Sequence, residues 1–452
     1  MPITFADIKW PTERRYRILN ARVPACLVAD SAALTAPLDA EGVARVDVLI
    51  EDGKLAGVDA VPARGADGVT GVDVAGRQVW PTLIDIHTHL DKGHTVTRSP
   101  NPDGTFHNAR LAAVADRRNW TAADLRRRMD FGLRCAHAHG VSAIRTHIDT
   151  YPDCAERSWS VVGQMREKWQ GRIDLQAVSL CPIDLLADEF GDRIAALAAQ
   201  SGGVLGGVTR SAAGDHGAPP DNIDALLDRL FALASRHDLD VDLHVDETDD
   251  PAAATLPLIA RAAIRHGYRG RVVCGHCCSL ALQPQAEIDR TLDLVAEAGI
   301  AVVTLPTVNM YLQDRAGHRT PRWRGVTAVR EMMEPGIAVA AAGDNCRDSF
   351  YAFGDHDVVD TYRQAVRILH LDHPLAGSPA LVGAVPSTMA RLEHHGRLVV
   401  GGPAQLIVFN ARTLNELVSR PQADRMIIRD GKRVAATVPD YSEFWEDEIE
   451  RR

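Results

Sequence analysis

Residues 81–92 run P-T-L-I-D-I-H-T-H-L-D-K. Leu83, Ile84 and Ile86 read as a buried strand, ended by two histidines spaced one residue apart. Side chains at i and i+2 of a strand project to the same face, so His87 and His89 leave the strand together. Neutral imidazole is the commonest protein metal ligand, and two on one face are placed to grip one ion. The plain alternative is a pair of surface histidines in a polar loop.

The 452 residues suffice for one large α/β barrel with an accessory domain, or for several ordinary domains. A formal net charge of −10 gives no basic footprint for nucleic acid and no polybasic patch for a membrane. The start, M-P-I-T-F-A-D-I-K-W, lacks a secretory pattern, and no stretch approaches the ~18 uninterrupted apolar residues of a membrane span. Cysteines scattered through apolar segments suit a reducing cytoplasm, which is the expected location. C-G-H-C-C at 274–278 looks like half of a zinc-binding pair, but no second half follows at zinc-finger spacing.

Outward from the opening stretch, apolar β-rich runs alternate with helical patterns: 83–89, 141–149, 173–181, 203–209, 241–246, 271–276, 300–305 and 337–344. Between them, T-A-A-D-L-R-R-R-M starts with a capping-box-like Thr121 and Asp124. Eight such strands, each leading to a helix, are the count for a (β/α)₈ TIM-type barrel. The open doubly wound sheet is the alternative, but no G-x-G-x-x-G follows an early strand. Both chain ends carry short strands and the same D-G-K turn, at Asp52 to Lys54 and Asp430 to Lys432. The expected architecture is therefore α/β. A small β-sandwich is formed by 1–80 and 391–440, a metal-dependent barrel spans 81–390, and a tail covers 441–452.

Catalytic groups of such barrels come from the C-terminal ends of the strands. His87 and His89 end the first, His147 and Asp149 the second, His244, Asp246 and Glu247 the fifth, His276 the sixth and Asp344 the eighth. A lone strand-end histidine is most often a hydrogen-bonded core residue. Metal-capable groups recurring at one end of five strands point to a metal site.

With these motifs the chain resembles the amidohydrolase superfamily, and within it the cytosine deaminase branch. The matching stretches are I-D-I-H-T-H-L-D-K, I-R-T-H-I-D, D-L-H-V-D-E-T-D-D, A-A-G-D-N and F-G-D-H-D. The resemblance implies that His87, His89, His244 and Asp344 hold one divalent metal ion. Zn²⁺ and Fe²⁺ both accept such ligands, and such a cation lowers the pKa of bound water to roughly 7. It further implies that Glu247 shuttles protons and that His276 and Asp344 act on the attacking water. The implied reaction is hydrolytic deamination of an amino-substituted N-heterocycle, a cytosine-like pyrimidine or related ring, releasing ammonia. The plain alternative for Glu247 is a surface carboxylate at a helix start. No lysine lies between Lys168 and Lys432, which argues against the lysine-bridged two-metal sites of other superfamily members.

The match departs at the substrate. Ile183 stands where the resembled deaminases carry a glutamine, and Asp184 is the nearby substitute. Asn345 replaces a second aspartate, Phe350 falls near a ring-packing aromatic, and Arg145 is a candidate reader of a substrate carbonyl or carboxylate, with ion pairing as its alternative. The substrate partner is a small heterocycle, and family habit leads us to expect a homo-oligomer. An N-substituted aminotriazine or cyclic amide hydrolase is the first alternative function, and a non-catalytic ligand-binding relative the second.

Overall fold

A computed structural model describes residues 5–61, 68–212, 219–435 and 437–444. The chain is α/β, with mostly parallel strands alternating with helices. Among the described residues, those within 1–85, 136–143 and 357–438 form one compact unit, and those within 86–135, 144–356 and 439–452 form another.

The first unit holds two four-stranded sheets. One runs Lys54–Ala60, Val43–Glu51, Arg15–Pro24, Thr70–Asp73, and the other runs Lys432–Val434, Met426–Arg429, Leu406–Val408, Val79–Pro81. Both D-G-K turns close antiparallel hairpins, pairing Glu51 with Lys54 and Arg429 with Lys432. Asp52 and Gly53 both have positive φ, at 51° and 77°, as do Asp430 and Gly431, at 47° and 72°. Both turns thus match the right-handed twist of their strands. Ile18, Val48 and Ile50 from one sheet share a buried cluster with Leu406, Val408 and Ile428 from the other. This unit reaches back to 357, whereas the sequence alone suggests a boundary at 391. The helix Val358–Ile368 is the cause: its Tyr362 meets Trp80 edge-on at 5.4 Å, and Arg425 donates to Asp357 at 2.7 Å. Of the tail, 441–444 cluster with the other unit and 445–452 lie outside the described residues.

Eight further strands follow in chain order: β1 (Leu83–Thr88), β2 (Val141–Asp149), β3 (Asp174–Leu180), β4 (Leu205–Val208), β5 (Val241–Val245), β6 (Val272–His276), β7 (Ala301–Thr304) and β8 (Val339–Ala341). β1, β2 and β3 form one sheet. β4 to β8 form a second, parallel at every step. Parallel bridges Val178↔Val204 and Pro182↔Val208 join the two at β3 and β4, and Thr88↔Asp344 joins β1 to the end of β8. Strands β1 and β2 are buried at every position, as strands covered on both faces must be. Amphipathic helices separate the strands, among them Ala122–Ala138, Ile223–Arg236 and Gln285–Glu297. Thr121 opens the first of these and accepts from the Asp124 N–H at 3.2 Å. No helix among the described residues is long and apolar enough to cross a membrane.

Candidate active site

Three imidazoles and one carboxylate meet where β1, β5 and β8 end. His87 Nε2 lies 3.2 Å from His244 Nε2, which lies 3.3 Å from His89 Nε2. Asp344 Oδ1 is 3.1 Å from His89 Nε2 and 3.7 Å from His87 Nε2. The local chain explains the convergence. His87 lies on β1 and His89 one residue past its end, and the Asp344 N–H donates to the His87 carbonyl at 2.8 Å. The Thr88 hydroxyl donates to the Asp344 carbonyl at 2.8 Å, stitching the end of β8 to β1. Gly275 makes room: a Cβ there would stand 2.8 Å from His87 Cε1.

Burial, then the neighbouring cationic and imidazole groups, holds all three histidines well below the usual imidazole range, so they are neutral. Three ring nitrogens and one carboxylate oxygen, all buried and within 4.8 Å of one another, converge as ligands of one cation do. Three nitrogens and one carboxylate oxygen suit zinc or ferrous iron. The residues present therefore fit the divalent metal implied by the sequence.

Beside this group stand Glu247 and His276. In a continuous strand, residues 244 and 247 would face opposite sides. Asp246, with φ of 49°, turns the chain and brings Glu247 round. The Asp246 carboxylate accepts from the N–H groups of Thr255 and Leu256, anchoring the helix Leu256–Arg265. His276 and Asp344 also have positive φ, 71° and 61°, backbone states that cluster at functional sites. Glu247 Oε1 is 3.4 Å from His276 Nδ1. Asn309, on the helix Pro306–Leu312 after β7, donates to Glu247 Oε1 at 3.3 Å and lies 2.9 Å from His276 Nδ1. An amide NH₂ only donates, so Nδ1 accepts and the His276 ring proton sits on Nε2. Burial pushes the Glu247 carboxyl up to about 8, against the pull of Arg210, Lys92 and Asn309. It pushes His276 down to about 3. Burial thus favours the neutral form of both groups.

These groups open into a cleft whose empty space, open solvent included, is about 570 Å³. Phe106 and Phe350, edge-to-face at 5.4 Å, form an aromatic wall. Lys92, Arg110, Arg117, Arg210 and Asn345 supply donors. Burial works against the Lys92 ammonium, but Asp149, at 2.8 Å, and Asp91 outweigh it and keep it charged.

The amidohydrolase family's sequence profile matches residues 105–435. The chain belongs to the amidohydrolase family. It is 47% identical to a pterin deaminase of Rhizobium rhizogenes over 446 residues, covering 98% of this chain and 99% of the relative. It is 25% identical to an N-isopropylammelide isopropyl amidohydrolase of a Pseudomonas species over 370 residues, 80% of this chain and 87% of that one. A 5-methylcytosine deaminase of Klebsiella pneumoniae, solved with phosphonocytosine, superposes with a TM-score of 0.79 at 24% identity. That superposition covers 94% of this chain and 99% of the deaminase.

As an amidohydrolase, this chain brings His87, His89, His244, Asp344, Glu247, His276, Asn345 and Phe350 to one place. Three expected substrate contacts lie elsewhere. Ile183 is buried in the short helix Ile183–Leu186, and the Asp184 carboxylate accepts from Ser211 Oγ and the Ala212 N–H. Neither lines the pocket. Arg145 donates to Asp242 Oδ2 at 2.9 Å and to Gln176 Oε1 at 3.1 Å. Four residues before Asp149, it sits about 13 Å deeper along β2. Its ion-pair partner is Asp242. The sequence reading missed Asn309, Phe106, Arg110, Arg117 and Arg210. Only Asn309 left a trace, four residues beyond the end of an expected strand.

Proposed function

We propose that this chain is a metal-dependent hydrolytic deaminase of an amino-substituted N-heterocycle, with pterins rather than cytosine as the substrate class. The observation that carries the reading is the buried Glu247, 3.4 Å from His276, held beside a three-histidine, one-carboxylate cluster at an aromatic pocket. Near-full-length identity of 47% to a pterin deaminase supports the substrate class. So does the pocket, since Phe106 and Phe350 suit a flat bicyclic ring, and Arg110 and Arg210 suit its carbonyl edge.

His87, His89, His244 and Asp344 would hold the metal. A divalent cation there supplies Lewis acidity and an activated water near neutral pH. Glu247 gives its proton to a ring nitrogen, which makes the adjacent carbon electrophilic. The His276 Nε2–H donates toward the oxygen added at that carbon. Asp344 accepts the proton this oxygen loses, and the exocyclic amine takes up a proton and leaves as ammonia. Asn309 keeps the proton of His276 on Nε2. Closure of β1 to β8 into a (β/α)₈ barrel, with a β-sandwich from both chain ends, is the architecture we propose around this chemistry. The bridges at β3–β4 and β1–β8 support the barrel.

The test is to incubate metal-loaded protein with pterin, cytosine and N-isopropylammelide, identifying products by mass. Ammonia and the dioxopteridine from pterin are expected. Isopropylamine from N-isopropylammelide with no ammonia from any ring would contradict the proposal.

A further inference from the structure

A second group of metal-capable side chains shares no residue with the site above. His94, Cys346 and His356 each bring one ligand atom within 4.8 Å of the other two. We propose that they form a second metal centre, a two-histidine, one-cysteine site for a zinc-type divalent cation.

All three side chains are buried, His94 being only 6% exposed. Neither His94 ring nitrogen has a hydrogen-bond partner among the described residues. A buried polar ring left so is costly, and a cation bound by one nitrogen removes part of that cost. Phe131, edge-on at 4.7 Å, and Phe444, stacked at 5.5 Å, hold the ring in an apolar shell. The backbone fixes the pair that faces it. The His94 N–H donates to the Cys346 carbonyl at 3.1 Å, and the Val96 N–H to the Arg347 carbonyl at 2.9 Å. Gly132 leaves space for His356, because a Cβ there would lie 2.9 Å from its Nε2. Burial, with His356, Arg347 and Arg128 nearby, keeps His94 neutral and able to ligate.

Zinc bonds of about 2.0–2.3 Å set tetrahedral ligand atoms roughly 3.3–3.7 Å apart, so side-chain movements of about an ångström close the cluster. Thiolate and imidazole favour zinc or cobalt over magnesium or calcium. Cys135 and Asp355 neighbour Cys346. Such a centre would clip the loop after β1 to the loop after β8, the two segments that carry His89 and Asp344.

Cobalt(II) titration of the full metal-stripped chain tests this. The first site holds only nitrogen and oxygen ligands, so a near-ultraviolet thiolate-to-cobalt band reports the second alone. Expected are about two cobalt ions per chain with the band, and about one, band intact, in the His89→Ala/His244→Ala variant. Cys346→Ser should abolish the band. His94→Asn, which keeps the thiol, should weaken the titration by about tenfold or more, since even outer-shell losses cost about 10–100-fold. One cobalt without the band in the wild type, or the band surviving in Cys346→Ser, would overturn the proposal. Should Cys346→Ser lose its native circular dichroism, His94→Asn decides, and unchanged affinity there overturns it equally.

Discussion

Glu247 is caught between burial, which favours its neutral form, and the cations Arg210 and Lys92, which favour the charged one. Burial wins, and a carboxyl titrating at about 8 holds its proton through neutral pH. The sign follows directly: the donor form is complete well below that value and is lost as pH rises through it. We therefore expect kcat to fall on the alkaline side around pH 8. Glu247→Gln should lower kcat by about 10²–10⁴ with metal content unchanged, and full turnover in that variant refutes the assigned role. Asn309→Ala should cost about 1–3 kcal/mol, or roughly 5–100-fold in kcat, with little change in KM. A loss confined to KM would argue against its hold on His276. The metal-capable residues were legible because each ends a strand. Asn309 was not, because its place four residues beyond an expected strand end acquires a chemical meaning only when the fold sets it against Glu247 and His276.

Strands were legible because covered parallel strands read as apolar runs, and the ends of β1 to β8 fall within a few residues of expectation. Depth along a strand was not. Arg145 shares a face with His147 and Asp149, yet lies low enough to pair with Asp242. Removing one partner of such a buried pair costs about 3–5 kcal/mol. Arg145→Met should therefore lower Tm markedly in a thermal melt while leaving KM of the folded fraction unchanged, and a raised KM would restore Arg145 as a substrate contact. The loop after β3 misled for a related reason: Asp184 is spent on residues 211 and 212, a tertiary partnership invisible in local sequence. On β6, Gly275→Ala would drive a methyl into His87. Metal content by elemental analysis should fall while the fold persists.

At the scale of the chain, both D-G-K turns fall in the compact unit that takes residues from 1–85 and 357–438. The helix Val358–Ile368 joins that unit through side chains distant in sequence, Trp80 and Arg425, which no local pattern announces. The same distance hid the His94, Cys346 and His356 cluster, whose spacing matches no zinc-finger pattern. The central claim is that a cation held by His87, His89, His244 and Asp344 and a proton held by Glu247 together release ammonia from a pterin-like ring. Its most direct test is ammonia release from pterin by the chelator-stripped chain, before and after adding back one divalent metal. The account predicts no release when stripped and restored turnover on reloading with zinc or ferrous iron; undiminished release from the stripped chain would contradict it.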